Sequence, residues 1–461
     1  MMKTLFKTAL LAATLLTSSA ALAAEPATAL NGRWDAVLTR NGSEIPFRLD
    51  LKADAANVEG TFYNGFDAFD GTTSAAYKDG QLTLNVEHYL TTINAKFENG
   101  QLVGSASAQN RESSAQYGFR AVRHVDAPKA VAANAPQIAG NYVIPLATPS
   151  SKGEKAFHFV VQQRGDEVAA SILRIDGDTG AYSGAFKDGK WVLSHFDGGR
   201  PGVIVVTPKA DGTLDVAQRV DRPTNTPTAQ AASYSAAAAP ANEYATDATP
   251  DGRYANTLVA YRQDVAEAKG FAKPDDVLTH TVARDPNEKF TFNFPDGNGK
   301  LVSNEDPRFK DKVVVAIVTG TWCPNCHDEA QYLVQLDKQY RDKGLAIVAL
   351  SFEEPEQQAT LTRAKAFIKK YGVEYTYLYP GQPAQMWEKV PQLNHLDTWP
   401  ATIFIGRDGK IDAVHSGFAS PSAGEFHTQL KKDFTSRVER LLAQKPSTSV
   451  AQAEATPASS D

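Results

Sequence analysis

The chain has two cysteines, Cys323 and Cys326, and both lie in one pentapeptide, Trp322-Cys323-Pro324-Asn325-Cys326. Two thiols three residues apart at the start of a helix can close a small ring and reopen it, as a dithiol–disulfide exchanger requires. The residues in front of the pair constrain the fold. Val313 to Val318 is an unbroken apolar run, as expected of a strand buried on both faces. Pro324 suits a first helical position, where its missing N–H leaves nothing unsatisfied. A helix is expected from Pro324 to Lys343, stopped by Gly344. Unpaired N–H groups and the helix dipole at its start favour a thiolate. Cys323 is therefore the expected attacking thiol, and Cys326, one turn further in, the resolving one.

Two other uses of such a pair are weighed against this. Zinc needs further ligands, and no second cysteine pair exists. With His327 the motif also spells the haem-attachment pattern Cys-x-x-Cys-His. The buried strand directly in front argues against haem. So does Met386, the sole methionine past residue 23, although a histidine can also serve as axial ligand. No metal or cofactor is expected beyond the redox-active Cys323–Cys326 pair. His327 reads most simply as a solvated helix residue.

At 461 residues the chain calls for several domains. Residues 1–23 read as a signal peptide: Lys3 and Lys7, an apolar run from Ala9 to Leu16, and an Ala21-Leu22-Ala23 cleavage site. Loss of those two lysines takes the formal charge from -6 to -8. No basic patch dominates, so no nucleic-acid partner is expected.

Residues 24–126 alternate like strands between Gly, Asn and Asp turns, and 136–222 look like a second copy. Gly32-Arg33-Trp34 matches Gly140-Asn141-Tyr142. Phe47 matches Phe157, Val58 matches Val168, and Lys78-Asp79-Gly80 matches Lys187-Asp188-Gly189. The offset stays between 108 and 110, which argues for a duplicated all-β module, sandwich or barrel-like. Residues 223–276 read as an Ala/Pro/Thr/Ser-rich linker. A helix is expected within 252–270, where Leu258, Tyr261, Val265 and Ala268 keep helical spacing. From 277 to 445 strands alternate with helices, the pattern of an α/β domain. Strand-like Phe290 to Phe294 opens it, Gln357 to Tyr371 and Phe426 to Leu442 are helical, and 446–461 read as a disordered tail.

The ordered motifs of this last segment resemble the TlpA/ResA-like branch of thioredoxin-fold proteins. They run Asp296-Gly297-x-Gly299-Lys300-Leu301-Val302-Ser303, Gly320-Thr321-Trp322-Cys323-Pro324-Asn325-Cys326, Glu329, Trp399-Pro400-Ala401-Thr402-Ile403-Phe404 and Gly417-Phe418. The resemblance covers roughly 285–443. It implies a thioredoxin-like fold and extracytoplasmic, periplasmic thiol–disulfide oxidoreductase activity. It also implies a disulfide-containing protein substrate and a membrane electron donor for re-reduction. It makes Pro400 a cis-proline facing the dithiol, with the Trp399 backbone offered to substrate and Trp322 shielding the pair. It makes Glu329 a partly buried carboxyl that moves the proton of Cys326. Glu329 follows Cys326 by three residues, on the same helix face, and desolvation would raise its pKa. Two departures stand out: Ala330 where the branch usually has proline, and Ile317 where thioredoxin has a buried aspartate.

The expected function is reduction of protein disulfides. Two alternatives are a thiol peroxidase-like redoxin, whose Pro-x-x-x-Thr-x-x-Cys positions are here Ala316 and Gly320, and a binding protein whose β modules recruit a partner to the redox domain.

Overall fold

The computed structural model describes residues 26–109, 114–126, 135–219 and 254–444. The expected leader, residues 220–222 at the end of the expected second module, residues 223–253 of the expected linker and the expected tail lie outside these residues.

The first module is one antiparallel sheet of nine strands, from Gly32–Arg40 to Ser114–Arg123. Its first strand pairs with both the second and the last, so Trp34 lies opposite Leu49 and Arg123. The sheet curls, and its two edges, Asp67–Gly71 and Ser74–Lys78, do not pair. It is a half-barrel. Alternate side chains fill it, among them Trp34, Phe62, Leu84, Ile93 and Phe119.

The second module repeats the strand order and closes. Gly140–Pro145 again pairs with the next strand and with the last, and Glu167–Arg174 also pairs with Tyr182–Lys187. The duplication is visible atom by atom. Trp34 Nε1 donates to Leu30 O at 2.8 Å, and Tyr142 Oη donates to Ile138 O at 2.8 Å, each four residues back. Arg123 covers the Trp34 ring and Arg262 covers the Tyr142 ring. The turns Asp79-Gly80 and Asp188-Gly189 both hold positive φ, at 52° and 79° in the first and 53° and 80° in the second, as a tight hairpin turn needs.

That symmetry corrects the domain boundaries. The strand equivalent to Ser114–Arg123 is Tyr254–Arg262, inside the expected linker 223–276, and it closes the second barrel between Leu214–Arg219 and Gly140–Pro145. The helix expected within 252–270 is confined to Gln263–Ala268. Leu258 and Ala260 pack on the barrel core, with Val259 between them outside it. A short apolar run fits both periods, and the open edge of the barrel selects the extended one.

The third domain is thioredoxin-like. Its five-stranded sheet runs Thr376–Gly381, Leu345–Phe352, Val313–Thr319, Ala401–Ile405, Ile411–Ser416. The first three strands are parallel, and Ala401–Ile405 is antiparallel to both its neighbours. The central strand is buried throughout. Val313, Val315 and Ile317 face the helices Pro324–Tyr340, Thr362–Tyr371 and Glu425–Leu442. Val314, Ala316 and Val318 face Phe290, Phe292, Met386 and Leu396 on the other side. This two-sided burial is why the strand reads as an unbroken apolar run. Two sequence expectations shorten. The helix expected from Gln357 begins at Thr362, after a 3-10 turn, and the strand expected at Phe290 is Asn293–Pro295, paired with Leu301–Ser303. No helix among the described residues is long and apolar enough to cross a membrane.

Candidate functional site

The central strand ends at Thr319, and the chain turns through Gly320-Thr321-Trp322 into the helix. A Cβ on Gly320 would lie 2.4 Å from Trp322 Nε1, so only glycine lets the indole fold back. Trp322 Nε1 donates to Phe352 O at 2.9 Å, and its ring meets Trp399 edge-on at 5.1 Å. Thr321 is held by Glu353, which also accepts from Ser351. Glu353 was not marked by sequence reasoning. The one available signal was an acid directly following a buried strand.

Cys323 is the N-cap, extended at φ -93° and ψ 118°, with Pro324 at the first helical position. Both cysteines are free thiols, and both are buried, Cys323 at 4% exposure and Cys326 at 1%. The Cys323 thiol lies 3.4 Å from Trp399 O, directed as a donor to that carbonyl. The Trp399–Pro400 peptide is cis, and Pro400 O accepts from Gly417 N at 2.8 Å. The dithiol, the Trp399–Pro400 loop and the Gly417-Phe418 strip thus form one continuous face. Trp322, packed against the Trp399 ring, borders it.

Burial pushes the Cys326 thiol well above its ordinary range, and the hydrogen bond with Cys323 adds to that. Glu329 lies deeper along the same helix, 1% exposed. Burial raises its carboxyl to about 8, against a hydrogen bond donated by Thr402 Oγ1 that favours the charged form. Thr402 is the register partner of Ile317 on the central strand. Glu329 is therefore supported from the neighbouring strand, beside the position where thioredoxin has its aspartate. Ala330 lets the helix run unbroken from Pro324 to Tyr340.

His327 departs from expectation: it is buried, not solvated. Nε2 donates to Thr321 O at 2.8 Å, which leaves Nδ1 to accept from Tyr371 Oη at 2.9 Å. The ring packs against His88, Tyr89 and Phe367. Burial holds it neutral, with a pKa well below the ordinary value. Both nitrogens of the histidine that a haem reading would use are engaged, and its ring is enclosed.

Two of those contacts come from a β module, which sequence reasoning left remote from the site. His88 and Tyr89 belong to the half-barrel. Asp70 there pairs with Lys370 of the redox domain at 2.7 Å. The second barrel supplies Asp197 and Arg200, paired at 2.6 Å, and Arg200 lies near the buried Asp328 of the dithiol helix. Burial pushes Asp328 well up, and the Arg200 charge only partly offsets this. Charged residues scattered over two β modules carry no sequence pattern that announces a shared interface.

Residues 283–430 match the Redoxin family model. A thiol-disulfide oxidoreductase ResA from Bacillus thuringiensis is 29% identical over 122 residues, which covers 26% of this chain and 62% of that protein. ResA of Bacillus subtilis is 28% identical, covering 28% and 66%. The chain thus spans somewhat under two thirds of the length of these relatives. Among solved structures, a thioredoxin-family thiol:disulfide interchange protein from Chlorobium tepidum covers 34% of this chain and 98% of its own, at 22% identity and a TM-score of 0.28. A secreted Mycobacterium tuberculosis disulfide oxidoreductase covers 32% and 96%, at 21% identity and a TM-score of 0.25. All of these similarities fall on the C-terminal domain.

Proposed function

We propose that the protein is an exported thiol–disulfide oxidoreductase that reduces disulfides of protein substrates. The observation that carries the reading is the Cys323 thiol facing the Trp399 carbonyl, with buried Cys326 one turn behind it and Glu329 beneath. The similarity of residues 283–430 to thiol–disulfide oxidoreductases supports the chemistry. The leader-like residues 1–23 support export.

In the proposed reaction the Cys323 thiolate attacks one sulfur of a substrate disulfide. A mixed disulfide forms, and the other substrate sulfur leaves as a thiolate that takes up a proton. Cys326 then gives its proton to Glu329 and attacks the Cys323 sulfur. The second substrate thiol is released and the Cys323–Cys326 disulfide remains. Two electrons pass from the dithiol to the substrate, and a membrane electron donor must return them. Buried Cys326 would hold its proton too tightly to act unaided. A carboxyl titrating near 8 is matched to taking that proton and giving it up again. Trp322, Trp399 and Pro400 form the substrate-facing side. No cofactor beyond the dithiol is required by this scheme.

The test is a redox titration of the full-length protein in glutathione buffers, read as intact mass after alkylation. A midpoint near about -270 mV supports a reductase. A midpoint near about -120 mV would make it a donor of disulfides and overturn the direction.

A further inference from the structure

The second barrel reaches across to the dithiol face. Its segment Ile175 to Asp178 runs along Gly417 to Ser420, with a parallel β-bridge between Gly177 and Phe418. Asn325, between the two cysteines, donates from Nδ2 to Asp176 O at 2.7 Å. The fit leaves no slack. A Cβ on Gly177 would lie 2.3 Å from Phe418 O and 2.6 Å from Asn325 Nδ2. A Cβ on Gly417 would lie 2.3 Å from Ile175 O. Both residues are glycines with positive φ, at 116° and 69°.

The segment is also locked at its end. The buried Asp178 carboxylate accepts from Ser420 N at 2.5 Å, from Ser422 Oγ at 2.7 Å and from Gly180 N at 2.8 Å. Asp176 is held on its own barrel by Lys152 at 2.6 Å. Gly417 is in turn bonded to Pro400, so the segment abuts the loop that faces Cys323.

We propose that Ile175–Asp178 is a built-in wall of the substrate groove and makes the dithiol select its disulfides by the bulk of their carrier. The inference rests on the oxidoreductase reading above. An extended chain laid over Cys323 and Pro400 meets the barrel on the Phe418 side, because that strip already has a backbone partner. Approach remains from the side of Trp322 and Trp399. A disulfide in a small molecule or on a narrow, protruding loop reaches Cys323, and one set in a broad protein surface is turned away. Ile175 to Asp178 contributes no reacting atom. It acts by occupying space and by positioning Asn325.

The test uses the full-length protein and two variants that loosen the wall from opposite sides. Gly177→Ala drives the segment off Phe418 and Asn325. Ser422→Ala removes a bond to Asp178 from within the redox domain and keeps the test alive should the barrel variant fail to fold. The first readout needs no turnover: the alkylation rate of Cys323 by iodoacetamide and by a maleimide carrying a long polyethylene glycol chain, resolved by peptide mass. The second is the rate with oxidised glutathione and with insulin. The ratio of bulky to small reagent is expected to rise about tenfold in Gly177→Ala, and less in Ser422→Ala. The insulin-to-glutathione ratio should follow. An unchanged alkylation ratio in the folded variants overturns the wall, including the case where both rates rise together. If neither disulfide is reduced by any form, the oxidoreductase reading fails, while the alkylation ratio still decides whether the wall exists.

Discussion

Glu329 and Cys326 are both buried on the dithiol helix, and a charge on Glu329 makes the Cys326 thiolate harder to hold. The folded state holds the Glu329 proton up to about 8, whereas an unfolded chain releases it near 4.5. Its contribution to stability is fully present below about 4.5 and is lost as pH rises through about 8. Glu329→Gln keeps the shape and removes the titration. We predict a flatter stability–pH profile for this variant between those limits, measured by denaturant midpoint. We also predict that the step near pH 8 in the rate of Cys326 attack disappears, measured by stopped-flow release of a chromogenic thiol. A stability profile identical to that of the parent would remove Glu329 from the role given to it. Thr402, which donates to this carboxyl, lay inside the Trp399–Phe404 motif but was never singled out, because its value depends on a partner 73 residues away.

Among the elements, the two β modules show how a repeat survives sequence drift. Trp34 and Tyr142 differ in chemistry, yet each donates one polar hydrogen to the carbonyl four residues back. Tyr142→Phe keeps the ring and strands the buried Ile138 carbonyl. The expected cost is about 1–3 kcal/mol, seen as a lower denaturant midpoint when the second barrel is followed by Trp191 fluorescence. No change in that midpoint would mean that water replaces the bond without penalty. The dithiol helix is the opposite case. Its start at Pro324 and its stop at Gly344 were legible locally, because capping is a property of neighbouring residues.

For the whole molecule, the redox domain is seated on both barrels through buried charge. Burial alone would push Asp70 up, but His88 and Lys370 outweigh it and hold the carboxyl below its ordinary 3.8. Its contribution is therefore present above that value and lost as pH falls below it. Asp70→Asn leaves Lys370 without its partner, at a cost of roughly 3–5 kcal/mol. We predict faster proteolysis between the half-barrel and the redox domain for this variant at neutral pH. The parent should show the same loosening only in acid. Equal cleavage of both proteins at neutral pH would show that the pair does not hold the domains together.

The sequence by itself determined the redox domain: the buried central strand, the helix that presents the dithiol, the order of the motifs and the existence of a duplicated β module. Each of these is written in spacing between near neighbours or in ordered segments. Tertiary structure alone decided that Tyr254–Arg262 is a strand, since the gap in a barrel wall, not local propensity, chose the extended form. It also decided that His327 and Asp328 are buried, because part of the surface that covers them, His88, Tyr89 and Arg200, comes from residues more than a hundred positions away. The same holds for Ile175–Asp178. Nothing in that segment's composition points to a dithiol, and only the packing of the barrel against the redox domain brings its backbone to Asn325 and Phe418.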